Sequence, residues 1–137
     1  MCLKDKLSVK AELDSLDAVQ IFIEELLMEA CCPKKIIGQV ILAVEEVFVN
    51  IASYSYESGE GNCDIDVMVT DNKLNVIVSD TGKLFNPLER ENPDITLSAE
   101  EREIGGLGIF MVKKIMNSVD YEYSDGKNIL SMVKTWE

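Results

Sequence analysis

The sequence predicts an α/β sandwich, a two-layer fold in which three main helices stack on one face of a mixed, mainly antiparallel sheet. Three observations predict it. Apolar residues recur at helical period over 13–30, 37–51 and 104–116, and they alternate at period two over 3–11, 63–70, 73–79, 119–124 and 128–136. The order is strand, two helices, hairpin, long loop, helix, hairpin.

Leu3 to Ala11, LKDKLSVKA, alternates apolar with polar residues, and its lysines mark an edge strand. Leu16, Val19, Ile23, Leu26, Leu27 and Ala30 put an apolar stripe on a helix spanning Leu13 to Ala30, opened by Asp14 or Ser15 as a cap. Pro33 suits the first turn of a second helix running to about Ser55. Within it, Ile37, Ile41, Val44, Phe48 and Ile51 recur at spacings of four and three, the pattern of a core-facing stripe. Cys63 to Thr70 and Lys73 to Ser79 flank Asp71-Asn72, a strong hairpin signal, with Ile65, Val67 and Val69 on one face.

From Asp80 to Glu103 periodicity stops. Gly82, Pro87 and Pro93 interrupt the segment, Glu89, Glu91, Asp94, Glu100, Glu101 and Glu103 make it acidic, and Ser98 with Glu101 forms a capping box. A loop this long in so small a domain reads as a lid. Ile104 to Met116 enters an apolar helix through glycines, and Val119 to Ser124 and Asn128 to Trp136, joined by Asp125-Gly126, close the chain as a hairpin.

Composition narrows the function classes. The chain has 137 residues, 47% of them hydrophobic and 28% charged, which fits a single globular domain over 1–137. No apolar run approaches the roughly 20 residues that cross a bilayer, and MCLKDKLSVK offers no signal-peptide core, so no membrane association and a cytoplasmic location are expected. Cys2, Cys31, Cys32 and Cys63 have neither zinc-site nor disulfide-framework spacing and read as buried or reduced thiols. A net charge of -12 argues against direct nucleic-acid binding. The absence of histidine removes Ser-His-Asp and Cys-His nucleophilic machinery, histidine-bound metals and an internal phosphohistidine.

Three constellations carry chemistry. Glu46 and Asn50 lie one helical turn apart, opposite the core stripe, with Leu42, Ala43, Val49 and Ser53 as neighbours. Such an oxygen-rich pair on a semi-apolar face suits a hard cation or proton transfer; the plain alternative is a half-exposed polar pair. Asp80-Thr81-Gly82 follows a buried strand, where a fixed carboxylate accepts from an exocyclic amine and Gly82 lets a flat ring approach the backbone, or where the motif is simply a turn. Gly105-Gly106-Leu107-Gly108 opens a helix whose free N–H groups form an anion site, or else provides only a tight entry to that helix.

Together, Glu46-x-x-x-Asn50 on a helix, Asp80-x-Gly82 after a strand and Gly106-x-Gly108 at a later helix start resemble the N, G1 and G2 boxes of the gyrase, Hsp90, histidine-kinase and MutL ATPase superfamily, in the same order. Within it the chain is most similar to the stand-alone anti-sigma factor serine kinases of the RsbW and SpoIIAB type. The resemblance rests on LDAVQIFIEEL at 16–26, the tract Glu46 to Tyr56, DTGKLFNPLE at 80–89 and GGLGIFMVKKIMNSVDYEY at 105–123. It implies a Bergerat-type ATP-binding fold with ATP and Mg2+ as cofactors, Asn50 as the Mg2+ ligand and Glu46 as the general base toward a serine hydroxyl. It further implies that Asp80 accepts from the adenine amine above Gly82 and that Gly105, Gly106, Leu107 and Gly108 hold the phosphates. Residues 83–104 would form the ATP lid, and Asn128 stands where the family places a late adenine-site threonine. The implied partners are an anti-sigma-antagonist (STAS-type) protein and a sigma factor, with a homodimer possible.

The chain departs from that pattern after Asn50, where relatives often carry a basic or histidine side chain and here Ile51-Ala52-Ser53-Tyr54 follows. Lys83, Arg90, Arg102, Lys113 and Lys114 are the other basic candidates. A protein serine kinase is the leading expectation, a non-catalytic nucleotide-sensing module the second, and a detached histidine-kinase catalytic domain acting on another chain the third.

Overall fold

One open sheet carries the strands in the order β1-β2-β3-β5-β4, and every pairing is antiparallel. The computed structural model describes residues 2–54, 61–84, 86, 88 and 106–137. The elements in chain order are β1 (Cys2–Lys10), α1 (Leu16–Glu29), α2 (Lys34–Tyr54), β2 (Asn62–Thr70), β3 (Lys73–Asp80), α3 (Gly106–Ile115), β4 (Ser118–Ser124) and β5 (Lys127–Thr135). The mixed, mainly antiparallel sheet expected from the sequence has no parallel pair among the described residues, because the chain crosses over through α3, forms β4 at the far edge and returns as β5 beside β3.

Both two-residue turns carry the backbone that their sequences demand. Asp71 and Asn72 have φ of 45° and 62°, and Asp125 and Gly126 have φ of 54° and 76°. Two successive positive φ values match the right-handed twist of the flanking strands, and Asp, Asn and Gly tolerate them best. β1 is the edge strand its lysines predicted; Lys6 Nζ lies 3.7 Å from Asp64 Oδ2, and Ser8 Oγ donates to Asp64 Oδ1 at 2.6 Å.

The strands bury alternate residues on a single face: Ile65, Val67 and Val69 on β2, Leu74, Val76 and Val78 on β3, and Leu130 and Met132 on β5. Val19, Ile23 and Leu27 of α1 and Val40, Val44 and Phe48 of α2 join them in one core. Each large apolar side chain removed from water there contributes about 1.5–3 kcal/mol before chain entropy is counted. α1 packs over β1, α2 over β3 and α3 over β4, with α2 in contact with both other helices.

Three expectations need correction. The first helix is not continuous from Leu13: a 3-10 turn spans Leu13–Ser15, and α1 starts at Leu16. Ser15 makes no side-chain cap hydrogen bond, because the 3-10 turn already gives it helical φ and ψ of -83° and -6°, whereas a capping residue needs extended geometry. The core stripe of α2 is wider than the four-three spacing implied; Ile41 is half-buried while Val40, Ala43 and Val47 are fully buried, since α2 meets the sheet and both neighbouring helices. Finally, Lys34–Ser53 is long and apolar enough by length and composition to cross a membrane, with a mean hydropathy of 1.7. In this fold 44% of that window is buried inside the protein, and Gln20 of α1 donates to Glu45 on it, the contacts of a core helix.

Candidate active site

Asn50, Asp80 and Asn128 are the polar side chains buried below a tenth exposure among the described residues, at 5%, 4% and 5%. All three are residues that the sequence assigned to a site. Burying a polar group is costly unless something hydrogen-bonds to it, so the partners of these three side chains define the site.

Asp80 ends β3 directly opposite Asn128 of β5, and on its other side it faces Cys63 of β2. Asp80 Oδ1 accepts from the Gly82 amide at 2.9 Å and from Asn128 Nδ2 at 3.0 Å. The first of these closes the Asp-x-Gly turn, so the turn reading of the motif is correct as far as it goes. The same Asn128 Nδ2 also donates to the Lys83 carbonyl at 2.9 Å and more weakly to that of Gly82 at 3.5 Å, while its Oδ1 accepts from the Tyr121 hydroxyl. Tyr121 was not among the residues singled out from the sequence. Its signal was there, because it lies on the core-facing register of β4, diagonal to Asn128.

Cys63, read from the sequence as a buried or reduced thiol, is both, and it stands opposite Asp80. It is fully buried, and burial first, then the charges of Asp80 and Asp64, push its thiol from 9.0 up to about 12. It stays a protonated thiol at neutral pH. All four cysteines are free, with Cys32 and Cys63 buried and Cys2 and Cys31 exposed.

The second group of site residues lies where α2 meets α3. Gly106, Leu107 and Gly108 form the first turn of α3, as the glycine run predicted, while Gly105 lies outside the described residues. A Cβ on Gly108 would fall 2.1 Å from Glu46 Oε2 and 2.8 Å from Glu46 Cδ, so only glycine leaves room for that carboxylate. Glu46 is half-buried over the N-terminal turn of α3, where unpaired N–H groups and the helix dipole favour negative charge. One turn further along α2, Asn50 is buried, and its Nδ2 has no hydrogen-bond partner among the described residues.

The orphaned amide bears on whether the residues fit a magnesium ion. Among the described residues no cluster of three or more His, Cys, Asp or Glu side chains is placed to hold a metal. Mg2+ bound with a nucleotide needs no such cage, since one or two protein oxygens and the phosphates suffice. The unpartnered atom of Asn50 is a nitrogen, a donor that suits a phosphate oxygen; it is the Oδ1 of the same carboxamide, one turn from the Glu46 carboxylate, that has the chemistry of a Mg2+ ligand. Of the anticipated lid at 83–104 only 83, 84, 86 and 88 are described; Arg90, Arg102 and the Ser98–Glu101 capping box lie outside the described residues. Lys83, Lys113 and Lys114 are exposed, and Lys114 Nζ sits 5.4 Å from the centre of the Phe110 ring.

This fold and these motif positions define an ATPase-type domain, and comparison with known proteins gives the family. The histidine kinase-like ATPase domain matches residues 9–134, and the chain belongs to that family. It is similar to the serine-protein kinase RsbW of Listeria monocytogenes, with 30% identity over 94 residues that cover 65% of this chain and 60% of that protein. It is similar also to the anti-sigma F factor of Caldanaerobacter subterraneus, with 28% identity over 94 residues covering 69% of this chain and 66% of that factor. The matches thus span about three fifths to two thirds of those relatives' length. A solved structure of the RsbU and RsbW domains of a Mycobacterium tuberculosis protein superposes with a TM-score of 0.65 at 14% identity, over 96% of this chain and 32% of that one, and shares the fold. The resemblance drawn from the sequence motifs is borne out at the level of family and fold.

Proposed function

We propose that this protein is an ATP-dependent protein serine kinase of the anti-sigma type, a single domain over 1–137 that transfers the γ-phosphate of ATP to a serine of an anti-sigma-antagonist partner and controls a sigma factor. The observation that carries the reading is the wall formed by Glu46, Asn50 and the first turn of α3, in which a carboxylate fills the space kept by Gly108 and a buried amide waits for a partner. The name of the RsbW relatives, serine-protein kinase, supports the reaction, and that of the anti-sigma F relative supports the anti-sigma role.

In this reading Asn50 would hold Mg2+ through its side-chain oxygen, and the ion would supply charge neutralisation for the phosphates. Glu46 accepts the proton of the incoming serine hydroxyl, a role worth about 10²–10⁴-fold in rate. The N–H groups around Gly105 to Gly108 hold the phosphates, Asp80 with Gly82 and Asn128 forms the base pocket, and 83–104 closes as the lid. A cytoplasmic location, no direct contact with nucleic acid and a homodimer complete the proposal.

The test is incubation with labelled ATP, Mg2+ and a candidate antagonist protein. Glu46→Ala is expected to lower phosphoserine formation by about 10²–10⁴-fold while nucleotide still binds, and Asn50→Ala to lose both. A wild-type rate in either variant rejects the assignment. A second reading, a nucleotide-sensing module without transfer, is favoured by the tract Ile51-Ala52-Ser53-Tyr54, which brings no basic side chain toward the phosphates. Mg-ATP binding that alters partner affinity while no phosphoserine forms would select it.

A further inference from the structure

The hydrogen bonds around Asn128 determine which end of its amide faces which neighbour. On one side stand two groups that only accept, Asp80 Oδ1 at 3.0 Å and the Lys83 carbonyl at 2.9 Å. They take the two N–H bonds of Nδ2. The other end of the amide, Oδ1, therefore turns toward β4, where the Tyr121 hydroxyl donates to it. A hydroxyl can donate or accept, but here only donation completes the set. Asn128 and Asp80 are 5% and 4% exposed, so water does little to substitute for a missing partner.

We infer that Tyr121 is a positioning residue for base recognition: by donating to Asn128 Oδ1 it locks the amide with Nδ2 toward Asp80, and Asp80 is thereby held as an acceptor for a base carrying an exocyclic amine. The inference rests on the nucleotide reading above and adds a specificity device that none of the motif residues supplies. Without the Tyr121 hydroxyl the amide is still oriented by its two acceptors on the Asp80 side, but Oδ1 loses the donor that holds it from β4, so Asn128 and the Asp80 carboxylate bonded to it are held less firmly in place. Hypoxanthine has a carbonyl where adenine has its amine, so ITP against ATP reads the acceptor character of Asp80 directly. A site built to hydrogen-bond one group rejects the analogue lacking it far more strongly than a merely apolar pocket would.

The experiment measures ATP and ITP binding to the full chain with Mg2+, for wild type, Tyr121→Phe, Asn128→Asp and, as a neighbouring control, Tyr123→Phe. Wild type and Tyr123→Phe are expected to prefer ATP by about tenfold or more, the equivalent of one hydrogen bond to a charged group. Tyr121→Phe should bring that ratio down to within about threefold of unity, mainly by weakening ATP, and Asn128→Asp should do the same with Tyr121 intact. A tyrosine that only packs would change the unfolding temperature and leave the ratio alone. A folded Tyr121→Phe protein with the wild-type ratio overturns the inference and spares the nucleotide reading. A wild-type chain that binds neither ATP nor ITP overturns that reading, and the inference with it.

Discussion

At the strand-built end of the site, Asp80, Asn128, Tyr121 and the Gly82 amide satisfy one another, and the Lys83 carbonyl joins them. At the helix-built wall, Asn50 keeps a buried Nδ2 with no partner among the described residues, and Glu46 lies against a glycine that makes way for it. Both ends carry polar side chains on well-packed elements, yet the fold completes its hydrogen bonding at one end and leaves it open at the other. A buried group without a partner costs about 1–3 kcal/mol. The wall therefore lowers stability in the free protein and is the part that a ligand can restore, whereas the strand-built end is organised before anything binds.

The sharpest way to break this contrast is to replace each amide by leucine, which has nearly the same volume. Asn128→Leu takes one donor from Asp80, one donor from the Lys83 carbonyl and one acceptor from the Tyr121 hydroxyl, and it is expected to cost about 3 kcal/mol in urea unfolding. Asn50→Leu removes an amide whose nitrogen was already unpartnered and is expected to raise stability by about 1–3 kcal/mol, while Mg-nucleotide no longer raises the unfolding temperature. Equal costs at the two positions would refute the contrast.

A second test uses pH at the strand end. The Cys63 thiol is held up at about 12 by burial and the neighbouring carboxylates, so the native state keeps its proton where the unfolded chain, at about 9.0, has lost it. That stability is fully present below pH 9 and drains away as pH rises from 9 toward 12, with a slope of at most about 1.4 kcal/mol per pH unit. Cys63→Ala should flatten unfolding free energy over that window. A slope equal to that of wild type would place the titration elsewhere.

The smallest expected change in stability is at the wall. Alanine at Gly108 must displace the end of the Glu46 side chain, which is flexible enough to move, and it gains about 1 kcal/mol of helix propensity. Gly108→Ala is thus expected to unfold no more easily than wild type and yet to lose most phosphotransfer. Combined with Glu46→Ala it should add little further loss, the non-additivity of two residues acting through one contact.

Much of the architecture was legible because it is local. Asp71-Asn72 and Asp125-Gly126 specify their turns through φ, and alternation in 63–70 and 73–79 gives the buried face of each strand. The four-three spacing in α2 gives its inward side, and the lysines of β1 give the edge. The motif residues were legible as types: an amide and a carboxylate one turn apart, a carboxylate closing a strand, glycines entering a helix.

The sequence by itself determined which segments are helix or strand and which polar residues interrupt apolar surroundings, because capping, turn chemistry and periodicity act over a few residues. It did not determine the strand order β1-β2-β3-β5-β4, which depends on how the crossover through α3 brings β5 beside β3. Only that order sets Asn128 opposite Asp80 and lets Tyr121 reach it from the next strand. Only the packing of α3 on α2 sets Gly108 against Glu46. The tertiary structure decided these pairings because the partners are remote along the chain, and contacts of that kind exist only when the whole core has closed around them.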